Sequence, residues 1–311
     1  MSTIAVAGGT GKLGRAIVDA LVQDGKNQVL VVTRQTGQGN QKDIGAKVVA
    51  ADYDSVDSLT AVLESNKVDI VISAISGTAS IEPELNFIKA ADKSAVTKRY
   101  IPSIWGVKYT DEVCSYFPIG KAKRAIIGAL EASSLEWTAV YNGYYLDYWF
   151  IPGVKTYFDP MALVLDVANN KAAIPASGNV PVAFTYSLDI ARFVVSLVSH
   201  PKWQKESYII GDKVTWNEFL SIVEEAKGVK FDTVTDDIEK LRAGQITELP
   251  SHQHMYPFFP KEMLQGLFAA FGRMFEEGVF DFKPARTLNQ EFPDVKTTKV
   301  RDLAAEAFKK S

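Results

Sequence analysis

Three things are scarce in this 311-residue chain, and each scarcity closes off a class of protein. Cysteine occurs once, as Cys114, which excludes an intrachain disulfide framework and any cysteine-cluster metal site. Histidine occurs three times. His252-Gln253-His254 sets two imidazoles at i, i+2, on opposite sides of an extended segment and without a third ligand nearby, so no metal site is expected. No apolar run approaches the roughly 18 residues of a membrane span. The N-terminus meets a glycine turn after one strand's length, without the basic and long apolar regions of a signal peptide. Blocks of like charge are missing too: the net charge is −3, and no basic stripe suggests a nucleic-acid duplex as partner. The expectation is a cytoplasmic monomer or homodimer that takes a small-molecule substrate and binds neither nucleic acid nor membrane.

What is present is a repeating α/β pattern. Ile4–Ala7, Val29–Thr33, Ala46–Ala50, Val68–Ser73, Thr97–Pro102 and Trp137–Tyr141 read as strands. Between them lie helical stripes such as Leu13, Ile17, Leu21 and Val22, and helices over 55–65, 85–94 and 121–133. Apolar strands without alternation, separated by helices, predict a parallel sheet covered on both faces. Right-handed crossovers make it a Rossmann-type doubly wound sheet. Past residue 143 the pattern changes. Segment 141–158 holds eight aromatics. Strands are predicted near 171–175 and 182–184, and helices near 188–199, 216–226 and 261–277. The last helix carries Met263, Leu264, Leu267, Phe268, Phe271, Met274 and Phe275 on one broad face. The reading is a nucleotide-binding domain over 1–150 and a smaller mixed α/β substrate lobe over 151–311, with late strands adding to the sheet edge.

The first strand runs into Gly8-Gly9-Thr10-Gly11-Lys12-Leu13-Gly14. Glycine there permits a tight turn at positive φ, close approach of a pyrophosphate to backbone, and close helix–strand packing. The helix that follows offers unpaired N–H groups to an anion. On the first strand–turn–helix of a six-strand pattern, the motif predicts a dinucleotide held by Gly8, Thr10, Gly11, Lys12, Leu13 and Gly14. An NAD-preferring site places Asp or Glu about 20 residues further on, at the end of the second strand. Here that position carries Arg34, with Lys42 in the loop beyond. A guanidinium can grip a 2′-phosphate that a carboxylate would repel, so NADPH is expected over NADH. Asp52 and Tyr53, after the third strand, are placed at the adenine edge, although Asp52 could equally cap the next helix. Ala74, among small residues ending the fourth strand, is expected beside the diphosphate and ribose.

None of the 12 tyrosines is followed four residues later by lysine, so the tyrosine acid usual in short-chain dehydrogenases has no candidate. Instead, Ile101-Pro102-Ser103-Ile104-Trp105-Gly106 ends the fifth strand and Gly120-Lys121-Ala122-Lys123-Arg124 opens a helix. With the glycine turn, Arg34 and Tyr141-Asn142-Gly143-Tyr144, these segments resemble the NmrA-like and isoflavone-reductase-like group of atypical short-chain dehydrogenases, over roughly residues 3–230. The resemblance implies that the first lysine of the KAK segment, Lys121, is the catalytic acid/base and contacts the cofactor. It also implies that Ser103, Asn142 and Tyr144 border the nicotinamide and substrate pocket. The acidic-Phe pair that follows Pro-Ser in the family is here Ile104-Trp105, and the aromatic segment and C-terminal helices also depart from the plant reductases, so a plant isoflavonoid substrate is not implied. Trp105 and Tyr141 are further expected substrate contacts.

The chemistry expected is NADPH-dependent reduction of a small aromatic or unsaturated carbonyl, enone or imine. A regulatory NADP(H) sensor without turnover, and a redox-neutral lyase or isomerase, stand as alternatives. An open aromatic cavity with the Lys121 amine beside it would favour the enzyme, and a sealed one the sensor. The aromatic segment reads either as a lid over a flat substrate or as packing between lobes.

Overall fold

The computed structural model describes residues 1–36, 43–76 and 80–309. Six strands form the central sheet: β1 (Thr3–Ala7), β2 (Gln28–Thr33), β3 (Lys47–Ala50), β4 (Ile70–Ser73), β5 (Arg99–Ile101) and β6 (Glu136–Trp137). They pair in parallel in the order β3-β2-β1-β4-β5-β6. Between them run α1 (Lys12–Asp24), α2 (Val56–Ser65), α3 (Glu82–Lys93), α4 (Asp111–Tyr116) and α5 (Pro118–Glu131). Burial on both faces explains the unbroken apolar strands: Ile4, Ala5, Val6 and Ala7 of β1 are all fully buried. Ala7 stands opposite Ser73, so β1 and β4 end level. The strand order reverses there, which opens a crevice at their carboxyl ends.

Helices α3 and α5 start three residues earlier than their apolar stripes suggest. Each has proline in its first turn, Pro83 and Pro118, where a fixed φ suits helix entry and a missing N–H costs nothing. The expected sixth strand divides. β6 pairs with β5, while its continuation β7 (Ala139–Tyr141) pairs in parallel with the late strand β12 (Glu206–Tyr208).

The remaining elements are β8 (Tyr144–Tyr145), β9 (Leu165–Asp166), β10 (Lys171–Pro175), β11 (Val182–Thr185), α6 (Ser187–Val198), β13 (Asp212–Val214), α7 (Trp216–Lys227), β14 (Asp232–Asp236), α8 (Ile238–Arg242), α9 (Lys261–Glu276), α10 (Leu288–Glu291) and α11 (Val300–Ala307). The shortest of these carry no periodic signal. Residues from both sides of position 150 share the two large cores. Ile17 and Leu21 of α1 cluster with Phe193, Val194 and Leu197 of α6. Trp149 and Phe150 cluster with Trp216, Phe219 and Phe275. The aromatic segment thus divides its duties, with Trp149 5.3 Å from Trp216 and edge-on to it. Met263 departs from the expected apolar face of α9 and is 61% exposed, while Leu264 beside it is buried.

Candidate active site

The glycine turn is shaped by what a side chain would strike. Gly8 has φ +74°, and a Cβ there would lie 2.7 Å from the Ala74 carbonyl oxygen. A Cβ on Gly14 would lie 2.2 Å from the Gly8 oxygen, so Gly14 serves the close packing of α1 on β1. The Gly11 N–H donates to Gly8 O at 2.9 Å and closes the turn. Gly11 then caps α1 without a side-chain acceptor, and no acidic residue sits in the first turn. A 13-residue helix therefore presents its N–H groups and positive end bare.

One cavity of about 1020 Å³ runs from this turn into the aromatic half of the molecule. Gly8, Thr10, Gly11, Lys12, Leu13, Arg34, Tyr53, Ala74, Ser103, Trp105 and Tyr144 line it, which brings together eleven of the residues singled out from the sequence. Its far wall is Tyr109, Phe117, Tyr145, Tyr148, Phe158, Met161, Phe259, Leu267, Phe268, Phe271 and Phe280. Among the described residues, the charged side chains of the lining are Lys12, Arg34 and Lys123, all cationic.

Arg34 is exposed at the end of β2, its guanidinium carbon 5.7 Å from the Tyr53 ring centroid. Arg34, Tyr53 and Ser76 also line an adjoining hollow with Asp52. Tyr53 is fixed: its hydroxyl donates to Val32 O at 2.6 Å, and burial pushes that phenol up to about 12. Asp52 does not cap α2. Ser55 does, accepting from Ser58 N, while Asp52 Oδ1 accepts from Asp54 N at 3.0 Å. Lys12 pairs with Asp159 at 2.5 Å at the exposed mouth. Lys42 lies outside the described residues.

Four expectations change. Lys121 is exposed and stands outside the cavity lining; Lys123 is half-buried and within it. On a helix, residues two apart point about 200° apart. Lys123 shares its stripe with buried Gly120, Ile126 and Leu130, so α5 turns Lys123 toward the sheet and Lys121 away. That stripe was legible in the sequence and would have selected the second lysine. Asn142 is fully buried and donates to Gly143 O at 3.1 Å, behind the cavity wall that Gly143 forms. Tyr141, 4% exposed, packs 5.1 Å from Tyr208 rather than facing the cavity. Gly14 supports the turn from behind.

Lys123 Nζ donates to the Ser103 carbonyl. Burial pushes the ammonium below its ordinary range, opposed by the charge of Glu84. Glu84, on α3, is a group that sequence reading passed over, because a glutamate in a helix's first turn normally serves the dipole in water. It is 3% exposed and accepts from the Ser73 and Tyr100 hydroxyls and from Ser103 N at 3.1 Å. Ser103 Oγ donates to Ile75 O at 2.8 Å, and Trp105 Nε1 to Ser73 O at 2.8 Å. These bonds tie the ends of β4 and β5 together beneath the cavity.

Among the described residues no group of three or more His, Cys, Asp or Glu side chains could hold a metal ion, and no helix is long and apolar enough to cross a membrane. His252 is 1% exposed and serves structure, accepting from Leu249 N at 3.2 Å through Nδ1 and facing Ala162 O at 2.6 Å through Nε2. His254 is exposed. Burial lowers the His252 pKa below its ordinary 6.5. The folded form then binds fewer protons than the unfolded chain, so the His252 contribution is intact above pH 6.5 and is lost as pH falls below it. Thermal unfolding between pH 7.5 and about pH 5 should show an acid-side loss of Tm that is smaller in His252→Gln; equal slopes would assign the loss elsewhere.

Residues 1–295 match the model of the NmrA-like family. Oxidoreductase BOA1 of Botryotinia fuckeliana (strain B05.10) is 30% identical over 95% of this chain and 96% of its own length. A phenylcoumaran benzylic ether reductase of Pinus taeda is 27% identical over 72% of this chain and 74% of its own. The leucoanthocyanidin reductase of Vitis vinifera, solved as a binary complex with NADPH, superimposes with a TM-score of 0.77 at 20% identity, covering 99% of this chain and 100% of that one. Matched nearly from end to end, the chain belongs to the NmrA-like family and falls among its isoflavone-reductase-like oxidoreductases.

Proposed function

We propose that this oxidoreductase reduces a small, neutral, flat substrate, an aromatic or unsaturated carbonyl, enone or imine, at the expense of NADPH, with Lys123 as proton donor. The observation that carries the reading is the single cavity joining the glycine turn, Lys123 and the aromatic wall.

The residues present fit the dinucleotide. The turn has no room for a Cβ at Gly8 or Gly14, the bare end of α1 suits a pyrophosphate, and Arg34, exposed at the end of β2, offers a guanidinium that suits a 2′-phosphate. Bound NADPH would supply the hydride. The protein supplies the rest. Lys123 Nζ, held by the Ser103 carbonyl, is the donor available to an oxygen that gains negative charge. A partly desolvated ammonium gives up its proton more readily than one in water. The phenols of Tyr144, Tyr145 and Tyr148 stay protonated, since burial pushes each of them up, so the wall carries no anion. Tyr144 and Phe271, packed edge-on at 5.4 Å, both line the cavity, and such an aromatic wall suits a flat ring. A cavity this open supports turnover over sensing.

The test is to mix the protein with NADPH, then with chalcone and a set of aromatic enones and quinones. A rise in Tm with NADPH and its consumption by a member of the set is expected. No thermal shift and no change in fluorescence on adding NADPH would sink the proposal.

A further inference from the structure

Beneath the cavity lies a carboxyl group that the reaction as described leaves idle. An isolated carboxylate in the interior is strongly disfavoured, so a buried one calls for partners. Glu84 has them: the hydroxyls of Ser73 and Tyr100, the latter at 3.2 Å, and the Ser103 N–H at 3.1 Å. The Ile75 N–H stands 3.5 Å from Ser73 Oγ and directed at it, which leaves the hydroxyl proton for Glu84. Burial pushes the Glu84 carboxyl above its ordinary range, and the hydrogen bonds from Ser73, Ser103 and Tyr100 together with the Lys123 charge pull it back toward the carboxylate. Two residues earlier, Glu82 is exposed, so the helix buries one of its two glutamates selectively.

The other backbone group of Ser103, its carbonyl, accepts from Lys123. Carboxylate and ammonium therefore hold the same residue through its two backbone groups. We infer that Glu84 is the positioning residue for Lys123: through the backbone of Ser103 its carboxylate fixes the ammonium on the cavity wall and balances its charge. The inference rests on the reading of Lys123 as proton donor.

The surroundings leave Glu84 without a rival. Tyr53 and Tyr100 on the sheet side and Tyr109 after β5 are neutral phenols, each pushed up by burial. On α5 itself Lys121 and Arg124 are exposed, and Arg124 is paired with Asp111. Glu84 is the carboxylate that acts on Lys123 among the described residues, and it acts against the downward push of burial.

The test needs no turnover. Trace acetylation of the full chain with acetic anhydride over a pH series, read for each lysine by mass spectrometry, gives the titration midpoint of Lys123. In Glu84→Gln, which keeps the shape and an acceptor for Ser103 N but loses the charge, that midpoint should fall by about one pH unit, with Lys121 unchanged. An unchanged Lys123 midpoint overturns the inference, whatever the protein does with NADPH; a wild type inert toward NADPH counts against the reductase reading alone. If Glu84→Gln does not fold, the double variant with Lys123→Met should fold, because both members of the pair are then gone. A double variant as unfolded as the single would overturn the pairing as well.

Discussion

Lys123→Met should lower turnover by about 10²–10⁴-fold, the range that a positioned proton donor contributes, while NADPH still binds. Methionine keeps the length and apolar stem of lysine, so the cavity is not emptied. The variant does leave Glu84 buried without its balancing charge, so a lower Tm is expected alongside. The decisive comparison is Lys121→Met. Lys121 lies on the exposed side of α5, and its loss should change turnover by no more than about twofold, as for surface substitutions generally. Equal losses in the two variants would mean that the helix end as a whole matters and that neither amine is the donor. A large loss at Lys121 alone would restore the assignment made from the KAK segment.

Arg34→Glu should weaken NADPH relative to NADH by about 100-fold, equivalent to about 2.7 kcal/mol. The figure combines the loss of charge-assisted bonds to a 2′-phosphate with the repulsion that a carboxylate adds. Because Arg34 is exposed, the effect should shrink at high salt. Titrating both cofactors by fluorescence at two ionic strengths checks the magnitude and its origin together. If NADPH and NADH weaken equally, Arg34 supports the adenosine end only through its place over Tyr53.

The two substitutions probe opposite ends of the cavity, and they differ in how visible their targets were. Arg34 could be placed by counting from the glycine turn, since a strand of known period ends where its apolar run ends, and the next side chain must leave the sheet there. Lys123 could not be placed by counting within KAK alone. It needed the phase of α5, which Ile126 and Leu130 set by packing on the core. Asn142 and Tyr141 were misplaced for a related reason. The strand that carries Tyr141 splits, with β7 pairing with β12 from far along the chain, which sets Tyr141 against Tyr208, while Asn142, just past the strand, is buried behind Gly143.

Local chemistry alone fixed the alternation of strands and helices, the phosphate turn and the cationic end of β2. Each depends on interactions within one strand–turn–helix unit, where backbone sterics and a 2.0 or 3.6 period leave little choice. Contacts between distant segments decided the rest: which aromatics wall the cavity and which pack the core, and the burial of Glu84 against Ser73, Tyr100 and Ser103. A carboxylate loses its water only when several donors from separate strands converge on it, and convergence is a property of the folded chain rather than of any stretch of it.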